Sequence, residues 1–296
     1  MALRISTLGL WLRRLAVIAA MIIALFPIFW LVSTSFKPSD QWQQWPPVWV
    51  SARPTLQNYR IVFAPQAAHA FAAKQQGSID YKVSGSAWKA FRDSTIISVC
   101  ATFFSIVFGT LAAYSIVRYR TGGENYAFQF LMVRMFPPIA VVVPMLVLFS
   151  LLHLIDTYLG LILAYTAFTL PFSIWMIRSF IEDIPEELEG AAMIYGMRPL
   201  QAFLRVTLPL IRGGVLATAL FVFILNWSEF LFALTLTTGN IVTVTLQVAN
   251  YVSASSGKLY GVQAAMGAIS TIPVVIFGYL IQRHLVRGLT FGAIKR

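Results

Sequence analysis

The sequence predicts an all-α integral membrane protein with six transmembrane helices, and three observations predict it. Hydrophobic residues fill 58% of the 296 positions and charged residues 11%, with a mean hydropathy of +0.74, whereas soluble domains carry roughly 25% charged residues. Apolar runs close to the ~20 residues needed to cross the hydrocarbon core recur along the chain. Most of the basic residues behind the net charge of +11 flank those runs, so the charge reads as membrane topology and not as a nucleic-acid surface. The single cysteine, Cys100, lies inside an apolar run, which excludes an internal disulfide framework and offers no metal-ligand cluster.

Residues 1–36 hold the N-terminus and helix 1. Arg4, Arg13 and Arg14 precede the uncharged run 15–36, whose apolar core exceeds the ~7–15 residues of a secretory leader and is followed by no small-residue cleavage site, so it reads as a retained anchor. Residues 37–92 form a long polar loop opened by Trp42, Trp45 and Trp49, a composition suited to a membrane interface. Its later part, 64–86, carries no assignable pattern. The core, 93–282, holds helices 2–6.

Helix 2 spans 94–117 and ends at Arg118 and Arg120 before a Gly122-Gly123 turn. Helix 3 runs as one element to residue 152 and contains Phe136, Pro137, Pro138 and Pro144. Interior prolines free backbone carbonyls that lipid cannot satisfy, so this helix is expected either to line a watery pathway or to pack a kink against its neighbours. Helix 4 spans 157–177, helix 5 211–230 and helix 6 261–282, with an outer loop at 235–260. Glu229 closes helix 5; an ionised group at the bilayer centre costs about 2.5 kcal/mol or more, so it is expected to face protein or cavity. Asn226, one turn earlier, is a candidate partner for solute hydroxyls. Arg134 is expected to snorkel to the inner interface.

Six spans put both termini on one side. Arg4, Arg13, Arg14, Arg118, Arg120, Arg178, Arg198, Arg205, Arg212, Arg283, Arg287, Lys295 and Arg296 fall on that side, whereas the third loop has no Lys or Arg and the fifth only Lys258. The positive-inside rule makes the first side cytoplasmic, the 37–92 loop being near the length at which the rule stops applying.

One cytoplasmic segment, 178–210, stands apart from the greasy remainder. Five of the eleven acidic residues lie at 182–189. Within 184–209, IPEELEGAAMIYGMRPLQAFLRVTLP, Asp183 is expected to cap a helix carrying Pro185, Glu186 and Glu187 in its first turn. Gly196 is expected to end that helix in a left-handed turn. A second short helix, 200–206, then runs into Leu208-Pro209 and the next span.

Ala191, Ala192, Gly196, Val206, Leu208 and Pro209 stand at the spacing of the EAA loop, and on these residues the segment resembles the cytoplasmic coupling loop of ABC importer permeases. Two positions depart: Gly190 stands where the motif has Glu, and Tyr195 where it has Asp. Glu189 therefore points about 100° round the helix from the family's position. The resemblance implies a type I ABC importer transmembrane architecture and assigns Glu186, Glu187, Glu189, Gly190, Ala191, Ala192, Gly196, Leu208 and Pro209 to docking on an ATPase. With two polar positions lost, docking is expected to depend on shape more than on charge.

Other segments extend the resemblance to carbohydrate-uptake permeases. They are PTLQNYRIVF at 54–63, Ala112-Ala113-Tyr114 with the following Arg, and Trp227-Ser228-Glu229-Phe230. The tail, 283–296, is similar to that of the maltose-type permeases, which implies that Gly288, Thr290, Gly292 and Lys295 reach the ATPase dimer. The loop 250–260, with Ser253, Ser255 and Gly257, is implied to meet an external solute-binding protein. A second related permease and two ATPase subunits complete the implied assembly in a bacterial cytoplasmic membrane, moving a sugar or sugar-like solute.

No Gly-rich phosphate loop occurs: the only Gly-Lys pair, Gly257-Lys258, is followed by Leu259. This chain is expected to bind no cofactor, with ATP and Mg on the partner subunits. A stand-alone secondary transporter or channel is the rival reading and predicts ion-coupled charges within the spans. Only Arg134 and Glu229 qualify, both near span ends. A membrane-bound enzyme would need a cluster of His, Cys, Ser or carboxylates converging on one face, and none is legible.

Overall fold

The computed structural model describes residues 7–64, 86–123, 126–133, 135–253 and 257–292. The architecture is helical apart from two paired two-residue strands, β1 (Val252–Ser253) and β2 (Gly257–Lys258), antiparallel with Ser253 opposite Gly257. Among the described residues, five helical stretches are long and apolar enough to cross a membrane: Leu10–Ser35, Ala87–Tyr119, Tyr158–Glu182, Pro199–Trp227 and Tyr260–Leu280. The chain folds as two compact units.

The first unit contains α1 (Thr7–Ser35), α2 (Gln57–Phe63) and the opening of the last helix. The side chains of α1 are exposed from Leu10 to Phe29, Ile22 and Ile23 at 65% and 73%, and become buried only at its end, at Thr34 and Ser35. In water such a surface would collapse, and a bilayer is the solvent that accepts it. The end of α1 is tied down by the Asn-Tyr pair. Asn58 Nδ2 donates to the carbonyls of Ser35 and Lys37 at 2.8 and 2.9 Å. The Tyr59 hydroxyl meets Ser35 Oγ at 2.8 Å. These contacts satisfy carbonyls that the end of a helix leaves without intrahelical partners.

The second unit is built on α3 (Ala87–Tyr119), α6 (Tyr158–Glu182) and the helix that follows the 178–210 segment. Two buried clusters hold it. One joins Ile97, Ala101, Phe149, Leu161, Tyr165 and Phe232; the other joins Ala113, Tyr114, Ile174, Ile177, Ile181, Phe203 and Ile211. The single helix 3 expected from sequence is two helices, α4 (Tyr126–Val133) and α5 (Pro138–Leu151). Pro138 takes the first turn of α5 and Pro137 precedes it in an extended conformation. Consecutive prolines cannot continue the hydrogen-bond ladder, and the second forces the first out of the α region, so the chain breaks instead of kinking.

The expected outer loop 235–260 is also largely ordered. It contains the end of α10 (Leu231–Leu236), α11 (Val244–Asn250) and the β ribbon. Two carboxylates fix its middle. Asp156, itself at φ 57°, accepts from Thr238 Oγ1 at 2.7 Å and from the backbone amides of Asn240 and Ile241 at 2.8 and 3.0 Å. Burial opposes its charge, but these donors outweigh it and hold the carboxyl below its ordinary value. Asp93, fully buried, accepts from the Tyr158 hydroxyl at 2.7 Å, from Arg92 at 2.9 Å and from the Val242 amide at 3.2 Å.

Replacing Asp93 leaves a buried amide and a tyrosine hydroxyl without an acceptor and removes the Arg92 counter-ion. Asp93→Ala is expected to lower stability by about 3 kcal/mol. Thermal unfolding of the solubilised protein measures this, with an unchanged midpoint against the assignment.

Candidate functional site: the coupling loop

The segment 178–210 continues from α6 as α7 (Glu186–Ile194), a glycine turn, α8 (Pro199–Ala202), a π turn (Phe203–Thr207) and α9 (Leu208–Trp227). Asp183 does not cap α7 as expected. It closes α6 in a helical conformation, and the residue at the start of α7 is Pro185, extended and without a side-chain cap. Pro185 cannot continue α6, so the helix boundary falls two residues beyond Asp183. Glu186, Glu187 and Glu189 occupy the first turn of α7, where the dipole favours anions.

The turn after α7 is as expected. Gly196 sits at φ 90°, its amide donates to Met193 O at 2.9 Å, and the Met197 amide donates to Ala192 O at 3.1 Å. This pair of bonds is the Schellman motif. A Cβ at Gly196 would meet nothing within 4 Å, so the requirement for glycine is conformational and not steric crowding. The π turn was not legible. It lies just before Pro209, whose ring has no N–H to donate and would clash with the carbonyl four residues back in a regular helix; a wider turn relieves both.

The three glutamates do not form one surface set. Glu186 and Glu187 are exposed, whereas Glu189 is 4% accessible. Its Oε1 takes Arg118 Nε at 2.7 Å and the Thr207 hydroxyl, and its Oε2 takes the Tyr114 hydroxyl at 2.6 Å. Arg118 also donates to the Ile184 carbonyl at 3.0 Å. Both side chains of the ion pair are more than nine-tenths buried. Burial disfavours the Glu189 charge; the hydroxyls of Thr207 and Tyr114 and the guanidinium of Arg118 overcome that and hold its carboxyl below the ordinary value. The loop is thereby bonded to the last turns of α3. Tyr114 and Arg118 belong to the Ala-Ala-Tyr and Arg pattern, but only the fold reveals their partner.

Besides the exposed Glu186 and Glu187, the loop presents an apolar surface around its turn. Ile194 and Tyr195 are 87% and 89% accessible, beside exposed Leu188, Met193, Leu200 and Leu204. Ala191 is exposed and Ala192 half-buried, while Gly190 and Leu208 are half-buried and Pro209 is exposed. Tyr195, at the position where the motif has Asp, is thus the tip of an apolar crest held on a rigid turn.

Comparison with known proteins decides the family. Residues 105–291 match the binding-protein-dependent transport system inner membrane component. The chain belongs to this family. It is a membrane-spanning permease subunit of an ABC importer and not an enzyme. It is 34% identical over 275 residues to the trehalose transport system permease protein SugB of Mycobacterium tuberculosis, covering 92% of this chain and 93% of that one. It is 33% identical over 288 residues to the trehalose/maltose transport system permease protein MalG of Thermococcus litoralis, covering 96% and 97%. The fold matches a chain of a bacterial ABC transporter involved in import of the acidic polysaccharide alginate, with a TM-score of 0.71 at 19% identity over 96% of this chain and 98% of that one.

The residues expected to line a translocation pathway fall in separate places. Phe136 and Pro138 line a cavity of about 220 Å³ with Val141, Met145, Phe168 and Phe232; Pro137 is at the exposed break itself. Asn226 is buried and donates from Nδ2 to Thr102 Oγ1 at 3.1 Å. Glu229 accepts from the amides of Phe232 and Ala233 at 3.0 to 3.2 Å, capping α10. Neither lines that cavity. Of the tail, Gly288, Thr290 and Gly292 lie in the last turns of α12 (Tyr260–Gly292), which passes the residue 282 boundary without a break. Ser253 and Gly257 face each other across the β ribbon. Lys295, Arg134, Ser255 and residues 65–85 fall outside the described residues.

Breaking a buried ion pair by removing one partner costs about 3–5 kcal/mol. Glu189→Gln is therefore expected to expose the coupling loop to protease at neutral pH, while Glu187→Gln behaves as the unaltered protein. Because the Glu189 carboxyl is held below its ordinary value, its stabilisation is complete at neutral pH and is lost as pH falls through the depressed value. The unaltered loop should then become cleavable in acid. Equal cleavage of both variants would contradict the assignment.

Proposed function

We propose that this permease works with a second, related permease, two separate ATPase subunits that bind ATP and Mg, and an external solute-binding protein, to import a sugar or sugar-like solute. Both termini are cytoplasmic in this reading, in a bacterial cytoplasmic membrane, as the distribution of Lys and Arg favours. The sugar class is supported by the trehalose and trehalose/maltose systems to which its relatives belong. The solute passes between the two permeases by alternating access, and closure of the ATPases drives the switch.

The observation that carries docking is the exposed crest of Ile194 and Tyr195 on the Gly196 turn. An exposed apolar patch on a rigid support marks an interaction surface, and here it fits an apolar cleft on the ATPase. Glu189 is engaged internally, so it acts by holding α7 in place. The tail residues Gly288, Thr290, Gly292 and Lys295 contribute a second contact to the ATPases, and the 250–260 loop meets the binding protein.

Loss of one well-buried anchor at an interface costs about 2 kcal/mol or more. Tyr195→Asp is therefore expected to weaken copurification of the ATPase subunits by at least ~30-fold in affinity, with the permease still inserted. Gly196→Val strains the turn and should uncouple ATP hydrolysis from uptake. The Glu186→Gln, Glu187→Gln double variant should keep most activity. A silent Tyr195→Asp with a dead double variant would replace shape with charge as the basis of docking.

A further inference from the structure

Within the first unit lies a cleft of about 440 Å³ whose lining includes Trp30, Thr34, Trp42, Gln43, Tyr260 and Gln263. Its volume is that of a small-molecule site. Its lining sets three aromatic rings and two carboxamides among the apolar Leu31, Val248 and Ala264, and no charged side chain is among the lining residues.

The platform is built and not incidental. Trp42 Nε1 donates to the Lys37 carbonyl at 2.9 Å, the same carbonyl that receives Asn58. Its ring lies so close to Gly261 that a Cβ there would fall 2.2 Å from Trp42 Nε1, and only glycine admits this approach. Trp30 is fixed in turn: the buried Lys37 ammonium stands 3.7 Å from its ring centroid and donates to Thr34 Oγ1 at 3.3 Å, while Trp49 packs edge-on at 5.8 Å. Gln263 Nε2 donates to the Val248 carbonyl at 3.2 Å, which leaves its Oε1 to accept from a ligand. Gln43 is exposed at the rim.

We propose that this cleft is a binding site for a neutral pyranose. The C–H face of a sugar ring packs on an aromatic plane, and its hydroxyls need groups that both donate and accept, which carboxamides supply. The uncharged lining favours a neutral sugar over an acidic one. The site is separate from the apolar cavity at Phe136 and Pro138, and it rests on the reading of this chain as a sugar importer's permease. With α1 entering from the cytoplasm, the cleft opens at the external end of the first helix, where arriving solute meets the permease.

The test uses the full-length permease in nanodiscs, titrated with trehalose and separately with maltose while tryptophan emission is followed. A saturable change is expected, with its midpoint raised at least tenfold by Trp42→Ala and raised by Gln43→Ala, whose exposed position makes misfolding an unconvincing cause. Galacturonate is expected to give no saturable change. The proposal is overturned by the absence of saturation with both disaccharides, by midpoints unchanged in both variants, or by a phospholipid retained in the cleft by native mass spectrometry and lost in Gln263→Leu. Copurification of the ATPase subunits on the same samples tests the importer reading separately, so a failed sugar site and a failed importer reading give different results.

Discussion

The buried pair between Glu189 and Arg118 is the constraint on which the loop-bearing end of this permease depends. A carboxylate and a guanidinium out of water are tolerable only with good geometry and additional hydrogen bonds, and here Tyr114 and Thr207 supply them. The four residues come from three elements: α3, α7 and the π turn. Separating any two of these elements strands a buried charge or hydroxyl. The coupling loop therefore moves with the end of α3 as one body. The Schellman turn at Gly196 adds rigidity at the other end of α7, so the apolar crest beyond it is carried on a fixed support.

The same helix is held at its opposite end by an equivalent device. α3 is 33 residues long, or roughly 50 Å at ~1.5 Å per residue. Asp93 near its start gathers Arg92, Tyr158 and the Val242 amide; Arg118 near its finish gathers Glu189 and the Ile184 carbonyl. Asp156 fastens the neighbouring stretch around Asn240. A long helix with a buried carboxylate knotted to it at each end suits a lever better than a hinge, because a displacement at one knot is not absorbed locally.

Much of this was legible in the chain, for identifiable reasons. The spans were readable because lipid demands long apolar runs, and the Gly196 turn because a left-handed residue leaves few alternatives to glycine. The break at Pro137-Pro138 was read as part of one helix, since hydropathy does not register a missing hydrogen-bond ladder. Asp183 was misassigned as a cap because helix boundaries shift by a residue or two and Pro185 set this one. The role of Glu189 was hidden for a different reason. Its partners Tyr114 and Arg118 lie 75 and 71 positions away, and sequence proximity grouped it with Glu186 and Glu187, which share its charge but not its burial.

The most direct test is a double-mutant cycle on Glu189→Gln and Arg118→Gln, read as solute uptake per ATP hydrolysed in proteoliposomes containing the assembled importer. If the pair is the joint between loop and helix, each single change lowers coupling strongly. The double variant is then no worse than the poorer single, because with both residues changed no lone buried charge remains. Strictly additive losses would contradict the account, since they would mean that the two residues act independently.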